Sequence, residues 1–352
     1  MLRTFRQRIT PTDVIIWLIG LLIAVVVVYG SYVTLASGKY SLENWLDLTV
    51  SGLAIGGVYA LIALGYTLVY GILRMINFAH SEVFMSGPFT AVFLADALNR
   101  AGFLNRHPVL SLIMILMLSM FVSMVIALLL ERIAYRPLRN APRLVPLITA
   151  IGASFFLQYT FKGLYGSGIK AYPDIAILAG DITFGPLRIM KTQLVVFTGA
   201  LVMMLLLFAI VQLTKVGKAM RAVSEDKEVA ALMGIDVDRI IVITFALGGA
   251  SAGAAGILYA ILFPVVNFFM GFFPGLKAFT AAVLGGIGSV PGAFVGALVL
   301  GLLENLGPNL FLDGLGIPAP YQLKDAIAFA ILVFILIFRP TGILGERVSQ
   351  KA

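Results

Sequence analysis

No cysteine occurs among the 352 residues, which excludes a disulfide frame and any thiolate metal or redox site. Histidine is nearly absent as well. His80 and His107 are the two in the chain, and their separation argues against a zinc or di-metal centre. No convergent set of His, Cys and carboxylate residues marks a catalytic site, so none is expected. A phosphate-binding G-x-x-x-x-G-K-[ST] loop is missing too. The nearest stretch, Gly163–Lys170, fails because Ile169 separates Gly168 from Lys170. Charge is the fourth scarcity: 12% of residues are charged against 60% hydrophobic, with a mean hydropathy of +1.02. A soluble domain carries roughly a quarter charged residues, so this composition belongs to an integral membrane protein.

What is present in quantity is apolar sequence in long runs. Spanning a bilayer takes about 20 apolar residues. Val14–Leu35, Thr49–Leu73, Val109–Leu130, Leu144–Phe161, Leu194–Leu213, Ile240–Phe263 and Leu323–Phe338 approach or exceed that length. Val83–Leu98, Ala278–Ile287 and Gly292–Leu303 are shorter. The first run reads as a true span rather than a signal peptide, because it is long and lacks a clear small-residue cleavage site. The net charge of +8 reads as a topology signal, not a nucleic-acid footprint.

Positive residues mark the inner face. With the N-terminus (Arg3, Arg6, Arg8) inside, so are Arg74, Arg132, Arg136, Arg139, Arg143, the stretch 215–239, and Arg339, Arg347 and Lys351. That arrangement places 16 of the 25 basic residues in the cytoplasm. A cytoplasmic C-terminus then requires an odd number of crossings between Leu276 and Phe338. The requirement is met if the chain breaks at Gly285, Gly286, Gly288, Pro291 and Gly292, since glycine and proline both oppose a helix interior. The expected fold class is therefore an all-α integral membrane protein of about ten membrane segments, some short or re-entrant. Both termini are expected in the cytoplasm.

The two halves share a pattern. Asn77-Phe78, Phe89-Thr90-Ala91 and Leu94 recur with identical spacing as Asn267-Phe268, Phe279-Thr280-Ala281 and Leu284. In the topology above the copies are inverted, the arrangement in which opposed half-helices build a transport path near the bilayer midplane. The expected organisation is a basic head and first span (1–48), a first repeat half (49–192), a sixth span with a cytoplasmic loop (193–239), a second half (240–338) and a basic tail (339–352). Gly52-x-x-x-Gly56, Gly249-x-x-x-Gly253, Gly288-x-x-x-Gly292 and Gly292-x-x-x-Gly296 are expected to let helix backbones pack closely.

Lys215–Arg239 stands apart, with ten of the chain's 42 charged residues between two long spans. Lys215–Val223 forms one short helix with Lys218 and Arg221 exposed. A second starts at Ser224 as N-cap, with Glu225, Asp226 and Glu228 at its positive end. Val229, Leu232 and Met233 share one face, and Gly234 ends the helix. Two helices on a cytoplasmic surface make a docking element for a soluble partner.

Several stretches resemble a known family. Glu228-x-Ala230-Ala231-x-x-Gly234 is close to the signature of the cytoplasmic loop in permease subunits of ATP-binding-cassette importers. Tyr59–Glu82, Glu131–Arg139, Ser224–Asp236, Leu276–Ala293 and the Arg339–Gly345 motif RPTGILG are similar to LivH-type branched-chain amino acid permeases. The extra head Met1–Leu35 and the outer loop Lys162–Lys191 match less well. The resemblance implies a non-catalytic subunit in the cell (inner or plasma) membrane, without a cofactor of its own. It implies a LivM-like paralogous permease partner, two ATPase subunits and a periplasmic or surface-tethered amino-acid-binding protein. A urea or amide permease of the same family is the alternative. An ion-coupled secondary transporter is the rival from another class, and it needs a mid-span carboxylate where acids here fall near segment ends.

Candidate coupling residues are Lys218, Arg221, Glu225, Asp226, Glu228, Ala230, Leu232 and Gly234. Candidates for a pathway or gate are Tyr59, Tyr66, Asn77, His80, Glu82 and Asn267. The cluster of Asn77, His80, Ser81 and Glu82 is expected near the cytoplasmic face, and Glu304-Asn305 at a solvated outer helix end.

Overall fold

The computed structural model describes residues 11–344 apart from 140, 143, 186 and 340. Arg3, Arg6, Arg8, Arg143, Arg347 and Lys351, counted above as inward-facing, lie outside the described residues, as do Pro340 and Gly345 of the tail motif.

Helices dominate. The first half holds α1 (Pro11–Ser37), α2 (Leu42–Leu73), α3 (His80–Arg100), the single turn α4 (Phe103–Arg106), α5 (Pro108–Leu130) and α6 (Leu144–Tyr165). Then come α7 (Lys191–Leu213), α8 (Lys215–Glu225), α9 (Lys227–Leu232), α10 (Val237–Leu262), α11 (Phe272–Gly285), α12 (Val290–Gly307) and α13 (Lys324–Phe338). Among the described residues eight helical stretches are long and apolar enough to cross a bilayer, those of α1, α2, α5, α6, α7, α10, α12 and α13. The less apolar α3 and the short α11 fall outside that set. Helix is what lipid demands, because each backbone group finds its partner within the segment. The few strands lie in the connections: β1 (Lys170–Ala171) pairs with β4 (Val265–Val266), and β2 (Asp181–Phe184) with β3 (Leu187–Met190), both antiparallel.

Small residues set the packing. Helices α2 and α12 run antiparallel with Gly52 against Gly301 and Leu302, and Gly56 against Ala297 and Leu298; a Cβ at either glycine would lie 3.0 Å from backbone. Helix α10 packs as closely on α5, with Gly249 opposite Ser123 and Met124, and Gly253 opposite Ser119 and Met120. There Ser119 Oγ donates to the Gly253 carbonyl at 2.7 Å, a polar stitch between close backbones. One glycine of the expected stripes does something else. Gly288 packs against nothing and has φ +101°, so it shapes the α11–α12 turn with Gly286 (φ +104°). Those torsions are open to glycine because it lacks Cβ.

Helices α2, α3, α10, α11 and α12 form the buried centre, whereas α1 is peripheral. It touches α13 through Trp17 and Phe338 (centroids 6.0 Å apart) and the 308–315 turns through Gly30 and Gly314.

A contrast of two glycines tests this packing. A Cβ at Gly253 would sit 2.5 Å from the Ser119 carbonyl oxygen and 2.8 Å from Met120 Cα, while Gly152 has open space. Gly253→Ala is expected to cost about 1–3 kcal/mol through overpacking. Gly152→Ala is expected to be neutral or to gain up to about 1 kcal/mol. Thermal unfolding in detergent reads the difference; equal melting temperatures would contradict the α5–α10 contact.

Candidate functional site

The chain turns back into its own bundle after α2. Arg74 ends that helix in the left-handed region (φ 55°), and its guanidinium reaches the Ser224 carbonyl at 3.0 Å. A non-helical stretch, 74–79, then leads to α3, whose first residue packs far from the end of α2. The His80 ring lies against Gly65, 3.8 Å from a Cβ position at Gly248, and edge-on to Tyr66 at 4.9 Å. Gly248 is near the middle of α10. The Asn77, His80, Ser81 and Glu82 cluster therefore sits deep in the bundle, not at the cytoplasmic face. The physical reason is that a non-helical segment carries the chain inward without adding apolar helix, which hydropathy cannot register.

Helix α11 arrives at the same level by the same device. Non-helical residues 267–271 follow β4, Asn267 Oδ1 accepts from Phe269 N–H at 2.8 Å, and the first turn of α11 meets the first turn of α3. Cβ positions at Gly271 and Gly275 would lie 2.9 Å from the Ser81 carbonyl carbon and 3.1 Å from Ser81 Cα. From this junction α3 leaves toward the side where α6 and α10 end, packing Phe89 on Tyr165. Helix α11 leaves toward the side where α2 ends. Its last carbonyls are capped there by the tail, with Ile343 N–H on Leu284 at 2.8 Å and Leu344 N–H on Gly285 at 2.9 Å.

Glu82 occupies the junction and is 0% exposed. Its Oε1 accepts from Gln158 Nε2 (2.8 Å), Ser154 Oγ (3.2 Å) and Ser81 Oγ (3.3 Å), while its Oε2 has no partner among the described residues. Carboxylates so deep in a bundle are costly and tend to mark function. A cavity of about 100 Å³ lies beside it, bounded by Tyr66, Phe78, Ser81, Ser154, Gln158 and Phe272 among others. Asn77 is tied elsewhere, its Oδ1 accepting from Tyr135 at 2.5 Å. Ser154 and Gln158 were missed in the sequence; their signal is polar side chains four residues apart, one face of an otherwise apolar run.

Tyr59 belongs to a second cluster, and here an expectation fails outright. Glu304 is 1% exposed and Asn305 is buried, so neither ends a helix in solvent. Lys277, 5% exposed, sits 2.6 Å from Glu304 and 2.7 Å from Asp325, with the Tyr59 hydroxyl 3.4 Å from both Lys277 Nζ and Glu304. One ammonium thus joins α11 to α12 and α13. The readable clue was Lys277 itself, a lone cation in an apolar run.

The charged loop is more regular than its sequence. Thr214 caps α8 by accepting from Gly217 N–H at 3.1 Å. Asp226 caps α9, accepting from Glu228 and Val229 N–H at 2.9 and 3.0 Å. That corrects the assignment of Ser224, which lies inside α8 and donates to the Arg221 carbonyl. Helix α8 continues past Ser224, so the first free cap is two residues later. Gly234 (φ +82°) closes α9, with Ile235 N–H on the Ala230 carbonyl and Gly234 N–H on that of Ala231. This is a Schellman cap. Arg221 is exposed, as expected, with its guanidinium donating to the Val211 carbonyl and Gln212 Oε1, and Ala230 is buried. Exposed as well are Val229 (54%), Leu232 (87%) and Met233 (78%). Nearby, Arg139 pairs with Glu131 and Asp238, and Arg136 with Asp238 at 2.8 Å, anchoring the start of α10. Burial, then the Arg139 and Arg74 cations, hold the Lys227 ammonium below its ordinary pKa.

An all-helical bundle with long apolar spans, short helices meeting in its interior and a surface-laid charged loop defines a multi-pass membrane protein. Comparison narrows the class. Residues 48–336 match the model of the branched-chain amino acid transport system / permease component family, and the chain belongs to that family. The high-affinity branched-chain amino acid transport system permease protein BraD of Pseudomonas aeruginosa is 42% identical over 313 residues, covering 88% of this chain and 98% of that protein. The corresponding LivH proteins of Salmonella typhimurium and Escherichia coli are each 39% identical, over 87% of this chain and 97% of theirs. No solved structure matches. The family match begins after α1, so the peripheral helix lies outside it.

Proposed function

We propose that this chain is the non-catalytic permease subunit of an ATP-driven importer, passing branched-chain or related hydrophobic amino acids through the cytoplasmic or inner membrane. The observation that carries the reading is the identity to BraD and LivH across nearly their whole length, through both the interior junction and the charged loop. In this reading the loop 215–239 receives one of two ATPase subunits. A LivM-like paralogue completes the passage, and a binding protein delivers the amino acid outside. No phosphate-binding motif occurs in the chain, in keeping with ATP hydrolysis elsewhere.

The same proposal sets topology: ten segments, N- and C-termini cytoplasmic, and an inverted repeat centred on α3 and α11. Support for the repeat comes from the matched Asn77 and Asn267 motifs and from the way both helices start at one interior level. Support for orientation comes from Arg74, Arg136, Arg139, the α8–α9 loop and the glycine-rich turn lying on one side. The pathway residues in this reading are Tyr66, His80 and Glu82, with Asn77 and Tyr59 supporting them from neighbouring networks. Asn267 shapes the approach to α11.

The coupling surface is the exposed one: Val229, Leu232 and Met233 with Lys218, Glu225 and Glu228 around them. Asp226, Ala230 and Gly234 hold its shape. Gly234→Leu with Glu225→Lys is expected to separate ATP hydrolysis from uptake with membrane insertion unchanged. The leucine forces a side chain into a left-handed torsion at a cost of about 1–2 kcal/mol, and the lysine reverses a surface charge. Wild-type coupling in that variant counts against the loop as lever.

Transport itself is checked in cells lacking high-affinity leucine uptake and given this chain with its partner subunits. Recovery of leucine accumulation supports the reading; recovery of urea or amide uptake instead transfers it to the related permeases.

A further inference from the structure

Residues 74–79 run from the edge of the charged loop to the buried carboxylate, and polar contacts tie them to both ends of that loop. At one end, the Arg74 guanidinium donates to the Ser224 carbonyl at 3.0 Å. Ser224 lies in the last turn of α8, whose final carbonyls lack helical partners and form its negative dipole end. A cation therefore caps α8. At the other end, Asp238 in the first turn of α10 pairs with Arg139, and Arg139 pairs with buried Glu131. Glu131 opens the π-helical turn Glu131–Tyr135, and Tyr135 at its close donates to Asn77 Oδ1 at 2.5 Å. Tyr135 and Asn77 are both buried, so water does not compete for this bond.

The segment held between these ties can change shape. It has no helical ladder of its own, so its torsions can turn while α2 and α3 stay intact. Arg74 sits in a left-handed torsion (φ 55°), a strained state for a residue with a Cβ. Directly after the segment comes the first turn of α3, which carries Glu82.

We propose that segment 74–79 transmits movement of the charged loop to the start of α3, with Arg74, Asn77 and Tyr135 as positioning residues. Helix α8 grips the segment at Arg74, and the inner end of α5 grips it at Asn77. When an ATPase shifts α8 against the bases of α5 and α10, the segment bends and Glu82 moves relative to Ser154 and Gln158. This deepens the import reading and rests on it.

Arg74→Gly separates transmission from a merely structural role. Glycine takes the left-handed torsion without strain, so the helix end is kept while the guanidinium is lost. In proteoliposomes with the partner permease, ATPase and binding proteins, leucine imported per ATP hydrolysed is expected to fall at least about threefold. Melting temperature and ATP hydrolysis are expected to stay close to wild type. Arg74→Lys keeps a cation at the end of α8 and is expected to recover part of the ratio. Tyr135→Phe removes only the hydroxyl and is expected to lower the ratio as well. Combined with Arg74→Gly it should add little, because both act through one segment.

The movement itself is read at Phe78, which is half-buried in the segment and lines the adjacent cavity. The chain has no cysteine, so Phe78→Cys presents the only thiol of this subunit. Its reaction rate with a methanethiosulfonate is followed in the complex without nucleotide and with a non-hydrolysable ATP analogue. The two rates are expected to differ at least about threefold, and Arg74→Gly is expected to erase the difference.

If the wild-type complex imports leucine while Arg74→Gly keeps both the ratio and the labelling difference, the transmission is overturned and the import reading stands. A fall in uptake matched by a fall in folded complex assigns Arg74 to folding alone and overturns it too. If the wild-type complex imports no branched-chain amino acid, both readings are overturned together.

Discussion

Lys277→Met is expected to be the most damaging single substitution considered for this fold. It removes the ammonium shared by Glu304 and Asp325 and leaves Glu304 almost completely enclosed. Removing one partner of a buried ion pair costs about 3–5 kcal/mol, because the remaining charge has nowhere to go. The expected result is a sharp fall in folded protein extracted from membranes and a markedly lower melting temperature. The informative comparison is Lys277→Met with Glu304→Gln. Replacing both members of a buried pair is often close to neutral, and Asp325 is half-exposed, so the double variant is expected to recover most of the stability. A double variant no better than Lys277→Met would show that the pair does not act as a unit. Uptake adds a second reading, since α11 is held by this cluster to α12 and α13. A stable double variant that imports slowly assigns Lys277 a role in moving or positioning α11.

Leu232→Asp with Met233→Asp carries the second large effect. Both side chains stand exposed at the end of α9, beside exposed Val229, on a loop otherwise rich in charge. Truncating a hot-spot side chain at the centre of a protein interface costs about 2 kcal/mol or more. Two charges placed on the proposed docking surface are therefore expected to weaken ATPase binding at least about 100-fold, each tenfold step being about 1.4 kcal/mol. The fold should tolerate the change, because the Asp226 side-chain cap and the backbone Schellman closure at Gly234 use neither of the substituted side chains. Purification of the complex through this subunit checks the result: the ATPase subunits are lost and the chain is retained. Retention of stoichiometric ATPase would place the docking surface elsewhere.

Local signals read well. The apolar runs Leu144–Phe161, Leu194–Leu213 and Ile240–Phe263 end within four residues of α6, α7 and α10. Apolar length is a local property, and charge or glycine ends it abruptly. The α8–α9 helices are legible for the same reason, though the cap expected at Ser224 falls at Asp226 because α8 runs on to Glu225. What was hidden is depth and partnership. Asn77 and His80 follow an arginine and look peripheral, yet 74–79 carries them inward without a hydropathy trace. Lys277, Glu304 and Asp325 are scattered over three segments, and nothing in their spacing announces one cluster. Ser154 and Gln158 form a polar pair on α6, but their meaning depends on Glu82, 72 and 76 residues away. The rule that acids fall near segment ends holds along the sequence and fails in space: Glu82 begins a helix in the middle of the bundle.

That buried carboxylate gives the ion-coupled alternative its best foothold, so the decisive experiment separates energy sources. The chain is reconstituted in proteoliposomes with its partner permease, ATPase and binding proteins, and labelled leucine uptake is followed. ATP on the side of the 215–239 loop, with no ion gradient, is predicted to drive accumulation that stops when the Leu232→Asp, Met233→Asp loop is substituted. Accumulation that runs without ATP and collapses with a proton or sodium gradient would contradict the account.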